Sequence, residues 1–249
     1  MLDGKCIIVT GAAQGIGAVM AKGFAAMNAR VMLMDITDPA NAVESIRSAG
    51  GDAIGIKADV TRGEDCIAVV AETEAAFGRV DGMVCNAALF TTLPQEPFDE
   101  IDEGLWDAVM AVNVKGPWLC VRAAVPAMER AGGGSVVMIA SNRIFRGYPD
   151  LLHYDASKGA ILAMVRSLIR ELGPKNIRVN TIAPGLTLSE GVLRREGILD
   201  RKDAIAAGRS LARDQEPGDL VGPTAFFLSD HAAFVTGQSL VVDGGGIVH

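Results

Sequence analysis

The chain lacks the marks of several protein classes. Its four cysteines, Cys6, Cys66, Cys85 and Cys120, form no Cys-x-x-Cys pair, and three of them lie in apolar segments. Such thiols are expected to be buried and reduced, and no metal site is expected. No charge-free run of about 18 apolar residues occurs, so neither a transmembrane helix nor a membrane partner is expected. The opening Met1-Leu2-Asp3-Gly4-Lys5 shows no basic leader, long apolar stretch or cleavage site. No signal peptide is read there, and a cytoplasmic location is expected. The 23 basic residues are dispersed and outnumbered by 30 acidic ones, for a net charge of −7. A nucleic-acid partner is therefore not expected. Heptads, solenoid repeats, low-complexity segments and long linkers are also missing.

What is present is apolar material, 49% of 249 residues, enough for a sizeable core. It comes in short β-branched runs separated by longer helix-like segments. Strands are predicted at Cys6 to Val9, Val31 to Met34, Ala53 to Lys57, Val80 to Cys85, Ser135 to Ala140, Arg178 to Ala183 and Ser239 to Val242. A first helix follows the first strand, with Ile16, Met20, Phe24 and Met27 on its apolar face. Further helices are predicted near 39–49, 62–77, 105–130, 154–172 and 217–228. Strands apolar throughout and alternating with helices imply a parallel sheet covered on both faces. The expected fold is α/β, a Rossmann-type doubly wound parallel sheet of about seven strands in a single domain, 1–249. Residues 186–216 break the alternation. A charged loop of this length is often functional, and a lid with short helices of its own is expected there.

After the first strand comes Thr10-Gly11-Ala12-Ala13-Gln14-Gly15-Ile16-Gly17. Glycines at such a strand-to-helix turn let a pyrophosphate approach the helix N-terminus, although a plain turn has the same composition. Asp35 closes the second strand eighteen residues after Gly17. A carboxylate there can accept hydrogen bonds from a ribose diol and repels a 2′-phosphate. Gln14 brings no charge to the turn. Both positions favour NAD over NADP.

Tyr154 and Lys158 stand four residues apart in Tyr154-Asp155-Ala156-Ser157-Lys158, and Ser141 precedes the tyrosine by thirteen positions. On a helix this spacing puts the ammonium and the phenol on one face. A nearby cation lowers the pKa of a phenol, so Tyr154 is expected to be depressed and fit for proton transfer to or from an alcohol or carbonyl oxygen. Alone, the spacing also fits a chance surface helix.

Together the glycine turn, Asp35, Ser141, Tyr154 and Lys158 resemble the short-chain dehydrogenase/reductase family, in its compact single-domain branch. The likeness extends along nearly the whole chain. Asp59-Val60 looks like the family's adenine contact, and Asn86-Ala87 like its strand-end motif beside the cofactor. Asn113 sits where the family keeps a helix asparagine, and Pro184-Gly185 matches the turn after the sixth strand. The resemblance implies Tyr154 as general acid/base, with Lys158 lowering its pKa and binding the nicotinamide ribose. It further implies Ser141 as holder of the substrate oxygen, and Asn113 as support for Lys158 through a water. The implied NAD-binding set is Gly11, Gln14, Gly15, Ile16, Gly17, Asp35, Asp59, Val60, Asn86, Ala87, Tyr154, Lys158, Pro184, Gly185, Thr187 and Ser189. Two departures stand out. Cys85-Asn86-Ala87-Ala88 replaces the usual Asn-Asn-Ala-Gly, and Ser189 replaces a usual threonine whose hydrogen bonds it can make.

Around the substrate the residues leave more open. Arg143 could bind an anionic group or pair with a nearby acid, and the second is favoured. Arg194 and Arg195, beside Glu196, have the same ambiguity. Phe90 and Phe145 could line an apolar pocket or fill core, and His153 is read as packing. The tail from Val242 to His249 and the run Pro184 to Val192 look similar to NAD-dependent members acting on cyclic or aromatic alcohols. The expected activity is NAD-dependent interconversion of a small-molecule alcohol and its carbonyl compound. A dehydratase or isomerase on the same scaffold and a non-catalytic NAD sensor are the alternatives. Apolar Ile161, Leu162, Val165, Leu168 and Ile169 on one helix suggest subunit contact, and the resemblance implies a homotetramer, or else a homodimer.

Overall fold

The computed structural model describes residues 1–195 and 197–248, and for residues 198–201 the backbone only; Glu196 and His249 lie outside the described residues. Within them the chain runs β1 (Cys6–Thr10), α1 (Gly15–Ala25), β2 (Arg30–Asp35), α2 (Ala40–Ser48), β3 (Asp52–Lys57), α3 (Gly63–Phe77), β4 (Gly82–Cys85), α4 (Glu103–Met110), α5 (Gly116–Arg130), β5 (Gly134–Ile139), α6 (Arg143–Arg146), α7 (Leu152–Leu172), β6 (Ile177–Pro184), α8 (Glu190–Leu193), α9 (Ile198–Ala207), α10 (Val221–Leu228) and β7 (Ser239–Val242). All strand pairs are parallel. The order is β3-β2-β1-β4-β5-β6-β7. The sheet grows one way from β1 to β3 and the other way from β4 to β7. A crevice therefore opens beyond the strand ends at β1 and β4, where such sheets bind ligands.

The period-two pleat of each strand sorts its side chains into two cores. Ile8, Met32, Met34, Met83, Cys85, Val136 and Met138 face α3, α5 and α7. Their neighbours Ile7, Val9, Val31, Leu33, Val84, Val137 and Ile139 face α1, α2 and α10. Strands buried on both sides need no polar face, which is why they read as unbroken apolar runs. Of the α7 residues expected at a subunit contact, Ile161 and Val165 are instead buried in the first of these cores, whereas Leu162, Leu168 and Ile169 are partly exposed at its margin.

Two segments differ from the sequence expectation. Residues 105–130 were expected as one regular helix; α4 and α5 are joined by a π turn, Ala111–Lys115. A π turn widens the helix by one residue and frequently marks a functional site. Glu103–Arg130 is also long and apolar enough to cross a membrane, with a mean hydropathy of 1.2 over its most apolar 18 residues. The sequence expectation rested on charge-free runs, whereas this window tolerates Lys115 and Arg122. In the fold it is a core helix: Leu119, Cys120, Val121, Ala124 and Met128 pack against the sheet. The loop 186–216 does contain short helices, α8 and α9. Its base is closed by a bridge between Thr187 and Gln215, with Leu188 N–H donating to the Gln215 carbonyl at 2.8 Å.

Candidate active site

The three glycines of the turn show two different uses of a missing side chain. Gly11 has φ +64°, and a Cβ there would lie 2.8 Å from the Ala87 Cα. A Cβ on Gly17 would sit 2.1 Å from the Gly11 carbonyl oxygen. These two glycines let the protein pack on itself. Gly15, at φ +61°, would meet only Ser189, at 3.7 Å, so its open side faces the crevice. Helix α1 begins here with Gln14 as a residue whose side chain makes no cap, and without an acid in its first turn. Its N–H groups are available to an anion.

Asp35 is fixed beside this turn. One carboxylate oxygen accepts from the Ala13 N–H at 2.9 Å; the other accepts the N–H and hydroxyl of Thr37, each at 2.9 Å. Asp59 holds Thr61 through one oxygen, accepting its N–H and hydroxyl at 2.8 Å. Val60 is buried against Gly116, where a Cβ would come within 2.9 Å. Asn86 donates its amide to the carbonyls of Thr10 and Gly11, at 2.9 and 3.0 Å. The Thr10 hydroxyl in turn accepts the N–H groups of Asn86 and Ala87, both at 3.0 Å. Thr10 and Asn86 thus clip the end of β4 to the turn after β1. Thr10 was not singled out in the sequence, although it directly precedes the turn. Gly185 packs on Asp243, the Thr187 hydroxyl donates to the Gly185 carbonyl, and Ser189 caps α8 while lying against Gly15.

Ser141, Tyr154 and Lys158 meet at the far side of the crevice, all buried. Ser141 follows the end of β5; its hydroxyl accepts the Arg143 N–H at 3.3 Å, and it is among the groups that pull the Tyr154 phenol down. Lys158 donates to the carbonyl of Ile139, 2.8 Å away, tying α7 to β5. Its Nζ lies 5.6 Å from the centre of the Tyr154 ring. The expected depression of Tyr154 is not found. Burial pushes the phenol up to about 12, against the pull of Ser141 and of the Arg143 and Arg195 cations. Lys158 stands over the ring and is directed at a carbonyl, so its charge does not offset the lost solvation at the phenol oxygen. Burial also pushes Lys158 down to about 8, with Cys85 pulling it back up.

Asn113 lies in the π turn. Its Oδ1 accepts the Leu89 N–H at 2.8 Å, and its amide donates to the Leu89 carbonyl at 3.2 Å and the Ser157 hydroxyl at 3.1 Å. Ser157, a connector missed in the sequence, donates to the Tyr154 carbonyl at 2.7 Å. Asn113 is thereby joined to α7 through Ser157 and the backbone of Tyr154.

The residues read as substrate-facing separate. Arg143 is paired with Asp155, at 2.7 and 3.0 Å, and also donates to the carbonyls of Tyr148 and Pro149. That fork is engaged within the protein: the ion pair favoured from the sequence is present, and the alternative of an open fork for a substrate anion is not. Phe90 packs on Tyr154 with ring centres 4.8 Å apart and a 42° tilt. Phe145 sits on α6, partly exposed. His153 is fully buried among the residues preceding the tyrosine. Cys85 is buried in the core, and burial raises its thiol to about 12. Arg195, from the loop after β6, lies over the Phe90 ring at 4.8 Å.

A family model described as enoyl-(acyl carrier protein) reductase matches residues 11–246. Dehydrogenase/reductase SDR family member 4 of Bos taurus is 33% identical over 100% of this chain and 89% of its own. The "Probable galactose dehydrogenase GalD" of Rhizobium meliloti is 34% identical over 98% and 95%. A short-chain type dehydrogenase/reductase from Mycobacterium ulcerans superposes with a TM-score of 0.90 at 30% identity, covering 98% of this chain and 90% of that one. The chain belongs to the short-chain dehydrogenase/reductase family. As a short-chain dehydrogenase/reductase it is an oxidoreductase with the Rossmann-like sheet described above. Its family binds NAD or NADP and acts on small molecules.

Proposed function

We propose that this chain is an NAD-dependent oxidoreductase interconverting a primary or secondary alcohol and its carbonyl compound, working in the cytoplasm as a homotetramer. The observation that carries the reading is the burial of Ser141, Tyr154 and Lys158 together, with the Lys158 Nζ 5.6 Å from the centre of the Tyr154 ring, at the crevice that the glycine turn lines. The residues fit the dinucleotide. Gly15 leaves an open approach to the uncapped N-terminus of α1, which suits a pyrophosphate. Asp35, already accepting three protein hydrogen bonds, keeps one of its roughly four lone-pair sites for a ribose hydroxyl and supplies a charge that opposes a 2′-phosphate. Gln14, Ile16, Asp59, Val60, Asn86, Ala87, Pro184, Gly185, Thr187 and Ser189 would form the remaining walls.

When bound, NAD supplies the hydride acceptor, and its reduced form the hydride donor. Ser141 holds the substrate oxygen in place for Tyr154. During oxidation Tyr154 takes the hydroxyl proton; during reduction it returns one to the carbonyl oxygen. With Ser141, Arg143 and Arg195 already pulling against burial, the phenol still stands at about 12, so proton uptake by Tyr154 requires further positive charge near its oxygen. Lys158 is cationic at neutral pH even at about 8, and would supply that charge by turning from the Ile139 carbonyl toward the phenol. Asn113 and Ser157 fix the backbone from which Tyr154 projects.

The test is a panel of cyclic, aromatic and sugar alcohols with NAD and NADP, followed by reduced-cofactor absorbance. Tyr154→Phe is expected to lower turnover about a hundredfold to ten-thousandfold with NAD affinity kept. Undiminished turnover in that variant overturns the mechanism. An enoyl thioester belongs in the panel because the matching family model carries that description. Product without absorbance change would indicate a dehydratase or isomerase; NAD binding without any turnover would indicate a sensor. The exposed Trp118 and the partly exposed Leu162, Leu168 and Ile169 support self-association. Light scattering of a chromatographic peak at monomer mass would refute the tetramer.

A further inference from the structure

We propose that Arg195 is a positioning residue for Tyr154, reaching from the loop after β6 to hold the turn that places Phe90 against the tyrosine ring. The idea rests on the proposed acid/base role of Tyr154. The turn is Phe90 to Leu93, closed by the Leu93 N–H donating to the Phe90 carbonyl at 3.2 Å. Arg195 grips both ends of it. One guanidinium nitrogen donates to the Phe90 carbonyl, and the other to the Leu93 carbonyl at 3.1 Å. The same group lies 4.8 Å over the Phe90 ring. A planar fork on two carbonyls and a ring face fixes both the position and the tilt of that ring.

What Arg195 fixes is the wall of the phenol. Leu93 is buried in one cluster with Val109, Leu151 and Tyr154, and Phe90 packs against it. Phe90 makes the aromatic contact with Tyr154. Asn113 holds the preceding residue, Leu89, through its N–H and carbonyl. The turn is therefore pinned from two directions, by the π turn on one side and by Arg195 on the other. Of these two pins, Arg195 brings a permanent charge. A cation favours the ionised phenol, and Arg195 is among the groups that pull Tyr154 down against its burial. The loop that supplies this cation follows Ser189, which lies against the glycine turn. One segment thus touches both the cofactor cradle and the surroundings of the base.

The experiment uses the NAD-bound protein labelled with 3-fluorotyrosine. The chain has two tyrosines, Tyr148 and Tyr154, so two fluorine resonances appear, and Tyr148→Phe assigns them. Fluorination acidifies a phenol and brings its titration nearer neutral pH. In Arg195→Gln the Tyr154 resonance is expected to move, and its midpoint to rise by roughly half a pH unit or more. Arg195→Lys keeps the charge without the fork, so it should hold the midpoint near wild type while still displacing the resonance. With an active alcohol, the rising limb of turnover against pH should move upward in Arg195→Gln, and NAD affinity should stay unchanged. Phe90→Leu combined with Arg195→Gln should be less than additive. An unchanged Tyr154 resonance and midpoint in both Arg195 variants overturns the proposal. The fluorine readings need no turnover, so they stand even if Tyr154→Phe stays active and the acid/base reading fails.

Discussion

Lys158 donates to the carbonyl of Ile139 at 2.8 Å, so the charged end of α7 is bonded to the end of β5 rather than to the phenol. Two buried titratable groups one turn apart on this helix are displaced in opposite directions: Tyr154 rises to about 12 and Lys158 falls to about 8.

A pH dependence of stability follows for the protein without cofactor. The unfolded lysine titrates near 10.5 and the folded one at about 8. Between these values the unfolded chain binds more protons, so the Lys158 contribution rises with pH across that window and is lost as pH falls through about 8. Tyr154 acts later and oppositely: its contribution is complete below 10 and is lost as pH rises through about 12. Urea unfolding at pH 7.5, 8.5 and 9.5 should show a gain in wild type that Lys158→Met lacks. A shift of two to three pH units corresponds to about 3 kcal/mol. Equal slopes in the two proteins would refute the assignment.

Gly17 and Gly15 should respond differently to alanine. At Gly17 the new Cβ would lie 2.1 Å from the Gly11 carbonyl oxygen. The turn must move, and a stability loss of about 1–3 kcal/mol is expected with loss of NAD binding. Gly15→Ala has room beside Ser189, so only the left-handed backbone penalty of about 1–2 kcal/mol applies. It should fold and yet bind NAD poorly, because the methyl stands in the phosphate approach. Thermal unfolding paired with calorimetric NAD titration separates the two cases.

Asp35→Ser should relax the choice of cofactor. The carboxylate opposes a 2′-phosphate, and serine removes that charge while keeping an acceptor. NAD affinity is expected to fall about tenfold, the equivalent of one hydrogen bond to a charged group. NADP affinity should rise. Fluorescence titration with both dinucleotides would detect this, and unchanged discrimination would remove Asp35 from the specificity argument.

Asn113→Ala would leave the Leu89 N–H and carbonyl and the Ser157 hydroxyl without their partner. A stability loss of roughly 1–3 kcal/mol is expected from the unsatisfied groups, together with lower kcat. Because Asn113 acts through Leu89 and Ser157, the loss should fall on kcat more than on NAD affinity. Chemical denaturation and steady-state kinetics on one preparation would check the split.

Much of the fold was legible because sheets buried on both faces leave a simple mark. Each of the seven strands expected from apolar runs is present, with no end moved by more than two residues. Tyr154 and Lys158 share α7 as the four-residue spacing implied. The π turn around Asn113 was not legible, since a helix one residue wider keeps the composition of an ordinary one. Nor was the raised phenol of Tyr154. The spacing places a cation nearby but does not say where it points or how dry the site is. Arg143 kept two readings until Asp155 proved to be its partner. Contacts such as Arg195 with Phe90 join residues 105 positions apart, and nothing local in the chain announces them.

The clip formed by Thr10 and Asn86 bears on how a dinucleotide would arrive. Four hydrogen bonds already hold the two halves of the sheet together at the mouth of the crevice. The cradle is therefore set before any ligand enters, and little ordering of the backbone is left to be done there on association. On the proposed reading, discrimination between dinucleotides would then fall to the rim, at Asp35, while the floor would recognise what they have in common.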